Sequence, residues 1–327
     1  MNMATTTAMT AKHVPRALVR YAWFVVGYSI LVILWGALVR ATGSGAGCGN
    51  HWPLCNGQVV PLSPRLDTVI EFTHRMMTGA DTFVVLGLLV WTFRATVKGQ
   101  AARVAVVVST VLLINEAFLG ALLVKLGYVT GNQSMGRAVL LSVHLSNTLL
   151  MMAALTLTAA MLGTGQKTRE LRLSGANAAW VLIGLVATVV VGVSGSLAAL
   201  GDTLFPASSL RSAMVQDLSS SSPLLLRLRG VHPLSALIAG AFVIWIVVQA
   251  RRSGIQRLSM AVLALLGAQI ALGLVDLILL APTWMQILHL LCADLYWIAL
   301  VALAAELVWP TKNEGADPGE VRPHVEI

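Results

Sequence analysis

Eight apolar runs, each about as long as a bilayer is thick, divide this chain. They lie at residues 20–40, 69–93, 102–125, 138–161, 178–200, 227–249, 257–280 and 283–307. A run of about 20 apolar residues is what a helix needs to cross the hydrocarbon core. In lipid, each backbone N–H and C=O must be satisfied within its own segment, so runs of this length fold as helices. Composition agrees: 57% of residues are hydrophobic and 11% charged, against about a quarter charged in soluble domains. The expected fold class is an all-α integral membrane protein. The first run, Tyr21 to Val39, exceeds a signal-peptide core and is read as a retained helix.

The net charge of +8 invites a nucleic-acid reading, but no basic patch with interleaved aromatics occurs. The basic residues sort instead by side. Fourteen of the 22 Lys and Arg fall on the side holding both termini and the connectors after the second, fourth and sixth runs, for example Arg94, Lys98, Lys167, Arg251 and Arg252. The positive-inside rule then predicts cytoplasmic termini in a cell-membrane protein, with the loop at 41–66 extracytoplasmic.

The chain also repeats itself. The fourth run reads VHLSNTLLMMAAL and the eighth LHLLCADLYWIAL. The second holds His74 and the sixth His232, each near its start. In the third run Glu116 precedes Gly120 by four, and in the seventh Gln269 precedes Gly273 by four. Gly36, Gly120, Gly192 and Gly273 recur one per odd-numbered run, a pattern that suits close helix packing. The expected organisation is a segment 1–19, a four-helix half 20–161, a linker 162–177, a second half 178–307 and a polar tail 308–327. An even number of crossings per half predicts a pseudo-twofold axis along the membrane normal.

Of seven histidines, His13, His51 and His324 lie in loops or tails. His74, His144, His232 and His289 each lie about six or seven residues inside the outer end of an apolar run, roughly 10 Å below the surface at 1.5 Å per residue. One buried histidine is usually core. Four at a matched depth, two per half, point to ligands. Neutral imidazole binds haem iron, and the simplest pairing is His74 with His144 and His232 with His289. A hydrogen-bonded proton relay and plain packing are the competing readings. Zinc needs about four donors around one ion. Glu71 stands three residues before His74, on the same helical face, where Arg229 stands before His232. Arg75, Arg227 and Arg229 are candidate contacts for haem propionates, or for lipid headgroups. Asp81, Glu116, Asp276 and Asp294 are further intramembrane acids.

Cys48 and Cys55 lie seven apart in the loop at 41–66. On an oxidising outer side a bridge is favoured over a metal site, either as a clip or as a redox relay. Cys292 has no partner and is expected to pack.

GSGAGCGNHWPLCNGQ followed by EFTHR, with RGVHPLSA and LHL in the second half, resembles the haem A synthase family over about residues 20–307. GDTLFPA at 201–207 looks like that family's second large outer loop. The resemblance implies a membrane oxidoreductase that converts the C8 methyl of haem O to a formyl group, giving haem A for cytochrome oxidase assembly. It implies haem O between His74 and His144, a resident haem b between His232 and His289, and Glu71 as the catalytic acid. Cys48 and Cys55 would be the redox-active or structural pair. Partners implied are haem O synthase and an electron donor, with a homo-oligomer left open. A di-haem electron carrier with no chemistry on the haem is the alternative. This chain departs from relatives in having Gly-Asn-His before Trp-Pro-Leu, and in lacking a second cysteine pair within residues 201–226.

Overall fold

A computed structural model describes residues 14–164 and 175–309. Residues 1–13, 165–174 and 310–327 lie outside it, so Lys12, Lys167, Arg169, Arg172, Lys312 and Arg322 of the basic side are not placed.

Among the described residues ten helices follow in order: α1 Arg16–Ala41, α2 Leu66–Ala95, α3 Ala101–Lys125, α4 Met135–Thr164, α5 Gly175–Leu204, α6 Leu210–Leu218, α7 Leu224–Arg227, α8 Val231–Arg252, α9 Gln256–Ile278 and α10 Thr283–Val308. A 3-10 turn, Leu228–Gly230, joins α7 to α8. Together they make one 29-residue span, Leu224–Arg252, so eight helices are long and apolar enough to cross a membrane. The expected all-α fold class with eight candidate membrane spans holds. Backbone chemistry sets the ends. Pro15, Pro223 and Pro282 immediately precede α1, α7 and α10, where their fixed φ and missing N–H do no harm. Gly127 after α3 takes φ 66°. That lets Tyr128 N–H reach the Leu123 carbonyl at 2.8 Å and close the helix.

The two halves share one pattern of neighbours. In the first, α1 packs on α2 and α4, and α3 packs on α2 and α4. In the second, α5 packs on α8 and α10, and α9 packs on α8 and α10. The halves meet through α4 against α10, α4 against α5, and α1 against α10. Across this seam the Trp297 indole donates to the Leu149 carbonyl at 2.8 Å, and Leu155, Leu300 and Leu303 are fully buried. Large apolar side chains such as Phe83 on α2, Val104 on α3 and Leu237 on α8 point outward. That is the arrangement lipid requires and water does not.

One expectation is corrected. Residues 201–207 are not all loop: Gly201–Leu204 form the last turn of α5. The segment beyond holds α6, started by a capping box in which Ser209 and Ser212 exchange side-chain-to-backbone bonds at 3.2 Å.

Candidate functional site

Each intramembrane histidine lies against a glycine of a neighbouring helix. A Cβ built on Gly36 of α1 would stand 3.0 Å from Cε1 of His74 on α2. On Gly195 of α5 it would stand 2.9 Å from Cε1 of His232, and on Gly273 of α9 3.1 Å from Cε1 of His289. Gly120 of α3 gives His144 more room, at 3.9 Å. The glycines are therefore seats for imidazole rings, not only helix-packing points. The glycine serving His232 is Gly195. Gly192, the α5 glycine of the recurring set read as close helix packing, meets Leu149 Cδ1 of α4 at 2.8 Å.

The ring nitrogens are held differently. His232 Nδ1 is 3.2 Å from the Ser194 hydroxyl, which also contacts the Ser235 hydroxyl at 2.8 Å. His144 Nδ1 is 3.4 Å from Glu116 Oε1, an electrostatic contact rather than a formed hydrogen bond. His289 Nε2 is 3.2 Å from the Gln269 amide nitrogen. Nδ1 of His74, His144 and His289 is buried without a hydrogen bond. The His232 and His289 rings stand 6.5 Å apart, centroid to centroid, at 86°. Two imidazoles bound at about 2 Å on opposite sides of one metal would be separated similarly. Among the described residues no three His, Cys, Asp or Glu side chains converge as a metal site. Paired imidazoles with orphaned buried nitrogens and glycine seats fit a planar haem; they do not fit a four-ligand ion.

The loop at 41–66 folds back onto α2. Cys48 and Cys55 are bonded to each other and almost fully buried. Gly47 lies so closely on the α2 backbone that a Cβ there would collide with the Asp67 carbonyl. The Thr68 hydroxyl donates to the Gly47 carbonyl at 2.8 Å. Cys48 N–H donates to Glu71 Oε2 at 2.8 Å. Arg75 pairs with Glu71 Oε1 and donates to the carbonyls of His51 and Leu54, each at 2.7 Å. Glu71 is thus buried, bound on both oxygens, and about one turn of α2 N-terminal to His74.

The candidate arginines are largely engaged. Arg75 is used by the loop. Arg229, 8% exposed, reaches Asp202 at 2.9 Å and Asp217 at 2.7 Å. Arg227 is exposed at the rim. Two arginines that spacing did not single out are also engaged, Arg40 half-buried against the second half and Arg137 buried on α4. Arg40 donates to the Ala199 carbonyl, Thr203 and Gln286 at 2.9, 3.0 and 2.8 Å. Arg137 keeps an unpartnered Nε. Of the acids, Asp81 accepts from Ser29 at 3.2 Å, Asp276 and Asp294 each keep one unpartnered oxygen, and the buried Cys292 thiol approaches the Leu265 carbonyl at 3.8 Å.

Comparison with known proteins agrees with these motifs. The chain is 44% identical over 288 residues to a Thermus thermophilus protein named protoheme IX farnesyltransferase, a match covering 87% of this chain and 47% of that protein. It is 45% identical over 92 residues to a heme A synthase of Shouchella clausii, covering 28% and 31% of the two chains. It is 29% identical over 150 residues to a heme A synthase of Exiguobacterium, covering 46% and 47%. The chain therefore spans about half the length, or less, of these curated relatives. The COX15-CtaA family, described as cytochrome oxidase assembly protein, matches residues 19–301. With the match running through all four seated histidines and the disulfide loop, this chain belongs to the COX15-CtaA family.

Proposed function

We propose that the chain is a haem A synthase, oxidising the C8 methyl of haem O to a formyl group. The observation that carries the reading is an asymmetry between equivalent halves. Both hold a glycine-seated histidine pair, but only the first sets a buried acid, Glu71, one turn from its histidine. The first pair, His74 and His144, takes haem O as substrate. The second, His232 and His289, takes a resident haem b, which supplies one-electron transfer when bound.

Balance constrains the chemistry. Converting a methyl to a formyl with oxygen from water releases four electrons and four protons. His74 and His144, if both held the haem O iron, would leave it no open position for O2, so electron removal followed by addition of water at the methyl carbon would suit the pair best. Glu71 then serves as the catalytic acid, stabilising the developing positive charge or taking a proton. Its bonds to Cys48 and Arg75 fix its place. A redox partner of the electron-acceptor class takes up the four electrons. The Thermus relative, named for farnesyl transfer to protohaem and about twice as long, supports haem O synthase as the supplier. The basic residues support cytoplasmic termini in a cell membrane and the disulfide on the outer side.

Expression with a haem O supply, followed by haem extraction and mass measurement, tests the reading. Haem A is the expected product. The equivalence of the two halves favours one other reading, a di-haem electron carrier, which recovery of haem b alone would support.

A further inference from the structure

What stands behind the second histidine differs between the halves. In the first, Glu116 on α3 lies four residues before Gly120, and its Oε1 is 3.4 Å from His144 Nδ1. Two side chains of α4 hold this carboxylate. Asn147 donates to Oε2 at 2.5 Å, and the Thr148 hydroxyl donates to Oε1. Asn147 is itself fixed, since its amide nitrogen also reaches the Leu112 carbonyl and its oxygen accepts from Asn115, both at 2.8 Å. With both oxygens accepting, Glu116 presents acceptor character to the ring.

In the second half the position is kept, the charge is removed, and the ring is met on its other nitrogen. Gln269 occupies the place of Glu116, four before Gly273, but its amide nitrogen lies 3.2 Å from His289 Nε2, and His289 Nδ1 is buried without a hydrogen bond. Cys292 and Ala293 occupy the places of Asn147 and Thr148. Cys292 still approaches the Leu265 carbonyl at 3.8 Å, four residues before Gln269, as Asn147 reaches the carbonyl four residues before Glu116. The acid and both of its donors are replaced together.

We propose that Glu116 is a positioning residue of the first site. It orients His144 through Nδ1, leaves Nε2 for iron, and makes this histidine the more electron-rich axial ligand. A carboxylate behind a ligating histidine fixes the ring and raises its basicity, and the surroundings of an axial ligand shift the haem potential. The first site therefore favours oxidised iron more than the second, which suits a haem that is to lose electrons. This inference rests on the reading that haems occupy the two histidine pairs.

The test compares the full chain with Glu116→Gln and Glu116→Asp, purified from membranes of cells supplying haem b and haem O. Haem content is measured first, then haem absorbance against ambient potential. Glu116→Gln is expected to keep its haem and raise the reduced-to-oxidised ratio of one component about tenfold at fixed potential, ~59 mV for one electron. Glu116→Asp, which keeps the charge but withdraws it from Nδ1, is expected to move the same component in the same direction by less. If Glu116→Gln keeps its haem and spectrum with both potentials unmoved, the positioning role is overturned while the haem sites stand. If the unmodified chain holds no haem, the site reading fails and this inference with it. If Glu116→Gln does not accumulate, Glu116→Asp decides, and unmoved potentials overturn the proposal.

Discussion

Glu71 and Cys48, 23 residues apart in sequence, are joined by a 2.8 Å bond from the Cys48 N–H to the Glu71 carboxylate. The acid beside the first histidine and the disulfide loop above it are therefore one mechanical unit. Glu71→Ala removes the acceptor and strands Arg75, whose side chain is 12% exposed. Breaking a buried pair in this way costs about 3–5 kcal/mol. The expected result is a lower unfolding temperature in detergent and several-fold faster reduction of Cys48–Cys55 by a thiol reagent. Haem is largely retained, and haem A is no longer formed. Normal haem A production by this variant would remove Glu71 from the chemistry.

Gly47 offers a separate handle on the loop. A Cβ there meets backbone, colliding with the Asp67 carbonyl and standing 2.6 Å from Thr68 N. Backbone at a helix start cannot step aside as a side chain can. Gly47→Ala is expected to undock the loop from α2 while leaving the histidine seats intact. Thiol reagents should then reach the cysteines as readily as in Glu71→Ala, with the haem spectrum unchanged. Protection equal to the parent chain would show that the loop tolerates the shift.

The glycine seats give a graded series. Alanine at Gly195, Gly36 or Gly273 puts a methyl 2.9, 3.0 or 3.1 Å from a ring carbon, whereas at Gly120 the gap is 3.9 Å. Overpacking typically costs about 1–3 kcal/mol, and here the strain falls on the rings. The first three variants are expected to lose haem or broaden its spectrum. Gly120→Ala should bind haem like the parent. Equal loss in all four would mean that the glycines matter for helix approach and not for the rings.

Much of this was readable from the chain because lipid leaves few choices. An apolar run of 20 residues has to be a helix, and four histidines at one depth in such helices need an explanation. Rotation about a helix axis was harder. Gly192 and Gly195 lie three residues apart, nearly one turn, and only the packing of α5 on α8 decides which meets His232. The loop partners were hidden because Glu71 and Arg75 bind backbone atoms of residues 48, 51 and 54, and backbone groups carry no residue signature. Arg229 looked free for the same kind of reason. Its acids, Asp202 and Asp217, lie 27 and 12 residues upstream, and only the fold of α5 and α6 brings them to it.

That ion cluster predicts what Arg229 does. Arg229→Met leaves Asp202 and Asp217 unpaired, though their side chains keep 28% and 25% exposure. Solvent reduces the penalty below that of a fully buried pair, to about 1–3 kcal/mol. A lower unfolding temperature with unchanged haem content is expected if Arg229 only holds α6 to the start of α8. Loss of haem at full stability would instead mark Arg229 as a propionate contact and send the two aspartates to a lesser role.

The histidine pairs themselves make the sharpest distinction. On the proposed reading, removing one histidine of a pair would leave a single imidazole to hold the haem, changing a low-spin spectrum to high-spin or releasing the haem. His232→Ala and His289→Ala should each abolish the same spectral component, because their rings stand 6.5 Å apart as one pair. His74→Ala and His144→Ala should each abolish the other component and leave that one untouched. A variant in either half that altered both components equally would couple the sites, and would argue for one shared haem between the halves. An unchanged low-spin component in both His232→Ala and His289→Ala would defeat the second pair altogether, leaving Ser194 and Gln269 beside rings that only pack.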